Sequence, residues 1–468
     1  MEKKPQMIFN MYIQQLYTNC LAQAAYYIES NGEAAIIDPL RDTDVYVNMA
    51  KERGAKIKYI FETHFHADFV SGHVDLAKQT GAKIIFGPET QAKIDITIAK
   101  DNEVFTLGNS KFTVLHTPGH TLESSCFLLT DENNINKALF TGDTLFIGDV
   151  GRPDLLDGIM TKEELASKMY DSLHHKIMPL EDDIIIYPAH GAGSACGKNI
   201  GKETFDTLGN QKKNNYALQP ISREDFITAV TDGIAPAPLY FFEDAKINKN
   251  GALPLETVLA NGLKPLSIEQ FEAYKKEGHT IIDTREADVF ENGYIPGAIN
   301  VGLSGQFAIW AANIISLHHP IIIVCENGKE NESVTRLTRV GFDNIQGYLE
   351  GGFEHWLANE KRYDMVISIT PEEFSLDIKH SPNAEIVDVR KESEYNNGHV
   401  KGSKLVTLAD INNQIKELDP NKEYLVYCGG GYRSMIASSF LKSKGFKFVK
   451  NVYGGFAQIK DSGVEIEN

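Results

Sequence analysis

Short apolar runs that close on a turn or a His/Asp position set the rhythm of the first half of the chain. AAIIDPL (34–40), IKYIFETH (57–64), AKIIFG (82–87), FTVLHTPGH (112–120), ALFTGD (138–143) and IIIYPAHG (184–191) are rich in Ile, Val, Phe and Tyr. Runs of this length and composition predict strands, with helical stretches alternating between them. Chemistry is then expected at the strand ends, where loops gather over a rigid sheet. Around Ala235-Pro236-Ala237-Pro238 and through EDAKINKNGALPL the pattern weakens, which predicts a linker packed against the first domain.

The second half repeats itself. IIDTREADVFENGYIPGAINV from Ile281 aligns with IVDVRKESEYNNGHVKGSKLV from Ile386, and GYLEGGFEHW aligns with NVYGGFAQI. The spacing from Cys325 to Gly351 is 26 positions, and from Cys428 to Gly454 it is again 26. Each copy reads strand, helix, strand, Cys loop, helix, strand, a parallel α/β unit of about 100 residues. The expected division is 1–245 for a first α/β domain, 246–264 for a linker, and 265–365 and 366–468 for the two copies.

Composition narrows the partners. The 468 residues carry a formal charge of −18, which argues against nucleic acid or an anionic membrane as the main partner. No run approaches the ~18 consecutive apolar residues of a membrane span. The N-terminus, MEKKPQMIFNMYIQQLYTNC, lacks the apolar core of a secretory signal. The five cysteines, Cys20, Cys126, Cys196, Cys325 and Cys428, are odd in number and scattered, which is no disulfide framework. A reducing compartment, the cytoplasm, is the expected location.

The chemically loaded segments are THFHADF (63–69), TPGH, FTGD and YPAHG. His64, His66, Asp68, His120, Asp143 and His190 each lie beside a β-like run, and together they supply the nitrogen and oxygen donors of a divalent metal site. These motifs resemble the metallo-β-lactamase superfamily, whose fold is an αββα sandwich. Within it the segment looks like the persulfide dioxygenases, because Phe69 stands where the zinc hydrolases normally end the motif HxHxDH. That resemblance implies one Fe(II) per chain, held by His64, His120 and Asp143 as a facial triad with open positions for dioxygen and substrate sulfur. His66, Asp68 and His190 would orient ligands or water. The alternative is that His66 and His190 bind metal and the site holds zinc.

Three further residues follow from the same resemblance. Arg152, in IGDVGRPD, would engage a substrate carboxylate or developing sulfite oxygens. Tyr187 would place its hydroxyl near bound oxygen or sulfur. Cys196, in the glycine-rich loop after His190, would accept or relay sulfane sulfur.

CGGGYR (428–433) fits the rhodanese loop pattern C-x-x-G-x-R, between a strand and a helix. Backbone N–H groups and Arg433 would stabilise a thiolate or persulfide on Cys428. Val387-Asp388-Val389-Arg390 and Gly398-His399 resemble the family's D-x-R and GH segments, with Asp388 and Arg390 tying strand to loop. The first copy, Cys325-Glu-Asn-Gly328-Lys329-Glu330, puts Glu330 at the Arg433 position and surrounds the thiol with negative charge. It is expected to be a scaffold.

The whole order, an αββα domain followed by two rhodanese-like α/β domains with parallel sheets, is similar to bacterial persulfide dioxygenase–rhodanese fusions of sulfide detoxification. The implied partners are a small-molecule thiol persulfide, O2, sulfite or thiosulfate, and a second copy of the chain. Rival readings are a binuclear zinc thioesterase of the glyoxalase type fused to a sulfurtransferase, and a sulfur-relay adaptor with a structural metal.

Overall fold

A computed structural model describes residues 6–8, 11–156, 158–381 and 383–468. Residues 1–5, part of the stretch read for a secretory signal, lie outside it. The chain forms two compact units, Met1–Leu255 with Arg339–Gly341, and Glu256–Thr338 with Phe342–Asn468. Among the described residues no helix is long and apolar enough to cross a membrane.

The first unit is the expected αββα sandwich. One sheet has seven strands in chain order, Gln6–Ile8, Met11–Thr18, Gln23–Ser30, Glu33–Ile37, Lys56–Phe61, Lys83–Phe86 and Thr97–Ile98. The first four pair antiparallel, and the pairings from Glu33–Ile37 onward are parallel. Helices Asp44–Arg53 and His73–Thr80 make two of the crossovers. The other sheet has six strands, with Asn136–Gly142 parallel to Ile185–Pro188 and the remaining pairings antiparallel.

The run Ala34-Ala35-Ile36-Ile37 is apolar on both faces because both faces are covered. Ala35 and Ile37 join Tyr26, Phe61, Phe112, Phe127 and Phe140 in the core between the sheets. Ala34 and Ile36 face the outer layer with Tyr46, Ala50 and Leu76. Period-two alternation of this kind divides a strand between two cores, and it leaves the polar strand ends, not the strand middles, to build a site.

The stretch read as a linker is helical instead, over Tyr240–Asn250 and Leu255–Gly262. Its order comes from a tertiary contact: the Asn248 amide donates to the carbonyls of His66 and Phe69, and its oxygen accepts from Ser71 N, each at 2.8 Å.

In the second unit each copy has a five-stranded, all-parallel sheet, and the two orders match. In the first, Pro265–Leu266, Ile345–Leu349, Ile321–Val324, Thr280–Asp283 and Ile299–Asn300 lie side by side. The second runs Ile367–Ile369, Phe448–Val452, Glu423–Tyr427, Glu385–Asp388, Lys404–Leu405. Each copy opens with an edge strand and a helix that the repeat alignment did not include, and the first adds the apolar helix Phe307–Ile314.

Candidate functional site

Four strand ends of the first unit meet at one edge of the sandwich. Lys56–Phe61 leads to His64, Ser110–His116 to His120, Asn136–Gly142 to Asp143, and Ile185–Pro188 to His190. The donor atoms of His64, His120 and Asp143 all lie within 4.8 Å of one another, and so do those of His66, Asp68 and His190. Every one of these residues is buried.

Hydrogen bonds fix which nitrogen each ring presents. Thr63 Oγ1 donates its single proton to Asp38 Oδ2 at 2.9 Å, so at 3.0 Å from His64 Nδ1 it must accept. His120 Nδ1 lies 2.8 Å from the Arg152 carbonyl, which only accepts, and His190 Nδ1 lies 3.3 Å from the Ala22 carbonyl. All three rings therefore carry the proton on Nδ1 and turn an Nε2 lone pair inward. His120 Nε2 is 3.3 Å from Asp143 Oδ2, and His190 Nε2 is 3.5 Å from Asp143 Oδ1 and 3.6 Å from Asp68 Oδ1.

The Nε2 atoms of His120 and His190, both oxygens of Asp143 and Oδ1 of Asp68 are buried without a hydrogen-bond partner. Acceptors facing acceptors in a dry space are strongly unfavourable unless a cation lies between them. Burial, reinforced by the neighbouring imidazoles, holds the His64 pKa well below its ordinary value, and burial lowers that of His120 despite the Asp143 carboxylate. Both are thus neutral, as a metal ligand must be. The donor set fits a divalent metal.

His66 stands apart. Its ring stacks on Phe69 with centroids 4.3 Å apart, and its Nε2 is 3.1 Å from Asp38 Oδ1 and 3.7 Å from Glu62 Oε2. Burial opposes its protonation, but Asp38 and Glu62 outweigh burial and push its pKa up to about 9. The sequence reading missed Asp38, Thr63 and Glu62. One signal was available: Asp38 closes the AAII run as the other site residues close theirs. Its φ of 50°, unusual for a residue with a side chain, marks a position the fold over-determines.

Arg152 is placed differently from its expectation. Its guanidinium is buried and engaged, with Asp154 at 2.6 and 2.7 Å and the carbonyls of Ala195 and Ala235 at 3.2 and 2.7 Å. It clamps the Cys196 loop, and its backbone carbonyl orients His120. Gly151 beside it has no room for a side chain, since a Cβ would stand 2.2 Å from the Asp143 carbonyl oxygen. Tyr187 packs into the inter-sheet core, stacked on Phe140 at 5.3 Å and edge-on to Tyr26, and burial raises its pKa to about 12. The structure thus places Tyr187 among aromatic rings. Cys196 is buried with its sulfur within 4.8 Å of donor atoms of Asp143 and His190. Burial, then Asp68 and Asp143, raise its thiol pKa well above the ordinary range.

The two cysteine loops of the second unit differ at one hydrogen bond. Gly431 N donates to Cys428 Sγ at 3.1 Å. At the same offset in the first copy, Gly328 N donates to Glu330 Oε1 at 3.0 Å. The residue that replaces arginine has therefore taken the backbone donor that would face a sulfur anion. Burial, then Glu330, Asp283 and Glu326, push the Cys325 thiol up to about 12. Arg433 makes a two-pronged ion pair with Glu394 at 2.7 and 2.8 Å. Asp388 and Arg390 pair in the strand-to-loop turn, where Arg390 also donates to the Gly398 carbonyl at 2.8 Å. Asp283 and Arg285 repeat the arrangement in the first copy.

Comparison with known proteins agrees with this architecture. The metallo-beta-lactamase superfamily profile matches residues 18–190, and the rhodanese-like domain profile matches 267–359 and 370–462. A metallo-beta-lactamase from Staphylococcus aureus subsp. aureus COL, known as a crystal structure, is 33% identical with a TM-score of 0.65, covering 73% of this chain and 99% of its own. A hydroxyacylglutathione hydrolase from Francisella tularensis subsp. novicida is 35% identical over 174 residues, 37% of this chain and 64% of its own length. ETHE1 from Myxococcus xanthus is 26% identical over 51% of this chain and 97% of its own, with a TM-score of 0.44. The chain spans between 58% and 64% of the curated relatives that it matches.

The chain belongs to the metallo-β-lactamase superfamily. It is an enzyme in which a metallo-β-lactamase domain with a metal site precedes two rhodanese-like domains of the sulfurtransferase type.

Proposed function

We propose that this chain oxidises a low-molecular-weight thiol persulfide with dioxygen at an Fe(II) held by His64, His120 and Asp143, and moves sulfane sulfur through Cys428. The observation that carries this reading is a pairing on one chain. A cluster of two histidines and one carboxylate, beside a Phe69 that offers no donor, accompanies a rhodanese loop whose Gly431 N–H faces the Cys428 sulfur. A ferrous ion at that cluster would supply the redox chemistry of RSSH + O2 + H2O → RSH + SO3²⁻ + 2H⁺.

The chain's own residues do the rest. Thr63 and the Arg152 carbonyl hold His64 and His120 with Nε2 inward, so the ligands need no reorganisation. The Arg152 guanidinium holds the Ala195 carbonyl, and with it the loop that places Cys196 beside Asp143 and His190. At the second centre a Cys428 persulfide gives its outer sulfur to sulfite, Cys–S–SH + SO3²⁻ → Cys–SH + S2O3²⁻, with the released thiolate received by the Gly431 N–H. Five cysteines without a disulfide are in keeping with the cytoplasm, where such thiol chemistry runs.

A zinc thioesterase is the second reading, favoured by curated relatives named hydroxyacylglutathione hydrolases at 33–36% identity. The two separate in an oxygen electrode. The metal-stripped chain, reloaded anaerobically with iron and given glutathione or coenzyme A persulfide, should consume oxygen and form sulfite or thiosulfate; reloading with zinc should not restore uptake. Thioester hydrolysis by the zinc form, with no persulfide-dependent uptake by the iron form, would assign the first domain to the hydrolases.

A further inference from the structure

Glu394 stands against the Cys428 loop with a charge that cancels the one an anionic substrate needs. A side-chain carbon placed on Gly429, the residue after Cys428, would lie 3.0 Å from Arg433 Nη2 and 3.7 Å from Glu394 Oε1, so both members of the ion pair flank the loop. Arg433 spends Nη1 and Nη2 on the two carboxylate oxygens, at 2.7 and 2.8 Å. These charge-assisted bonds hold the Glu394 carboxyl below its ordinary pKa, so the pair is ionised and its charges sum to zero. The donor that still faces the Cys428 sulfur is backbone, the Gly431 N–H at 3.1 Å. The first copy changes both members together. At the offsets of Glu394 and Arg433 it carries Val289 and Glu330, which leaves a bare negative charge in place of a neutral pair.

Sulfur donors differ in the charge they carry where they react. Thiosulfate would load the cysteine by Cys–S⁻ + S2O3²⁻ → Cys–S–S⁻ + SO3²⁻, in which the S–S bond of a dianion breaks and sulfite leaves with the electron pair. An organic persulfide would do so by Cys–S⁻ + RSSH → Cys–S–SH + RS⁻, with the charges of R remote from the sulfur that moves. A thiolate meeting a dianion needs an uncancelled cation beside it, whereas a thiolate meeting an S–SH group does not. We propose that Glu394, by neutralising Arg433, is a specificity-determining residue that directs Cys428 to take sulfur from organic thiol persulfides in preference to thiosulfate. This rests on the reading of Cys428 as the transfer centre and names the class of donor for it. Discrimination comes from weakened attraction for the wrong donor, not from a new contact with the right one. Sulfite returning as acceptor passes through the same transition state, so the cancellation slows the thiosulfate couple in both directions alike.

Transfer to cyanide, Cys–S–S⁻ + CN⁻ → Cys–S⁻ + SCN⁻, reads both donors in the full-length chain under anaerobic conditions. Glu394→Gln should raise kcat/KM for thiosulfate about fivefold, chiefly by lowering KM, and leave that for glutathione persulfide within about twofold. The rise should shrink as salt screens the charge. Arg433→Gln removes the cation and leaves Glu394 bare, so thiosulfate transfer should fall about tenfold, and adding Glu394→Gln should recover about threefold of that loss. A carboxylate that only positioned Arg433 would give no recovery. A thiosulfate KM unchanged or raised in Glu394→Gln, or a double variant no better than Arg433→Gln, overturns the proposal. Transfer above the buffer rate in Cys428→Ser would instead overturn the reading of Cys428 on which it stands.

Discussion

Arg152 shows how a residue chosen for one role serves a site through another. Its donors are taken by Asp154 and by the carbonyls of Ala195 and Ala235, so the charge that suits an anionic substrate is occupied in holding the loop. Arg152→Ala should cost about 3 kcal/mol of stability, since it strands Asp154 and two carbonyls. Thermal unfolding and oxygen uptake should fall together, and Arg152→Lys should rescue neither, because an ammonium cannot span the three acceptors. Unfolding at the unmutated temperature, with uptake lost, would return Arg152 to the substrate. The Cys325 thiol carries the other residue-scale prediction. Its pKa is raised from 9 to about 12, so the folded state keeps a proton that the unfolded chain releases. That contributes stability present below about pH 9 and lost as the pH climbs through 12. At pH 8 its thiolate fraction, and with it alkylation by iodoacetamide, should be on the order of a thousandfold below that of an ordinary thiol. Glu330→Gln should raise the rate, as followed by peptide mass spectrometry; a rate equal to that of Cys20 would refute the assignment. The donors His64, His120, Asp143 and His190 were legible in the sequence because each terminates a β-like run. The groups that aim them were not. Thr63, Asp38 and the Arg152 carbonyl act through contacts that exist only once separate strands have come together.

At the scale of elements, the repeat was legible and its internal docking was not. Alignment gives two like domains, yet nothing in it says that residues of the helix after the Cys428 loop bury themselves in the other copy. Tyr432, one residue before Arg433, donates from its hydroxyl to the Gly302 carbonyl at 2.8 Å, and Ser439 Oγ accepts from Asn300 N at 2.9 Å. Met435 belongs to the first copy's core. Gly305 is the notch for the Tyr432 ring, since a Cβ there would lie 2.4 Å from a ring carbon. The first copy is therefore a scaffold in a physical sense: it fixes the start of the helix whose N-terminal loop carries Cys428. Gly305→Ala should overpack this joint and destabilise the second unit by about 1–3 kcal/mol. Tyr432→Phe, which keeps the ring and loses one hydrogen bond, should cost about 1 kcal/mol. Thiosulfate–cyanide sulfur transfer should fall several-fold in the first variant and less in the second, with oxygen uptake unchanged in both. Equal transfer rates in Gly305→Ala and the unmutated chain would mean the joint bears no relation to the loop. The helix Tyr240–Asn250 escaped the sequence reading for a similar reason. Its residues have weak periodicity, and its place is set by Asn248 reaching the carbonyls of His66 and Phe69.

For the whole molecule, the question is why a metal domain and a sulfur-transfer domain share a chain. On the proposed function, sulfite made by the first domain would meet the Cys428 persulfide at a raised effective concentration, because both centres share one polypeptide. In the first copy the backbone donor that would face a sulfur anion is taken by Glu330. All sulfane sulfur that leaves through a rhodanese loop should then leave through Cys428. In a chain carrying Cys428→Ser, persulfide-dependent oxygen uptake should continue at the unmutated rate while the product changes from thiosulfate to sulfite. Adding Cys325→Ser should change nothing further. Ion chromatography of the sulfur products beside the oxygen trace reads both quantities in one experiment. Thiosulfate still formed enzymatically by Cys428→Ser, but not by the double variant, would show that Cys325 transfers sulfur despite its acidic surroundings. Uptake that stops in Cys428→Ser would instead mean that persulfide reaches the metal site only by way of the rhodanese loop, with sulfur flowing from the second unit to the first.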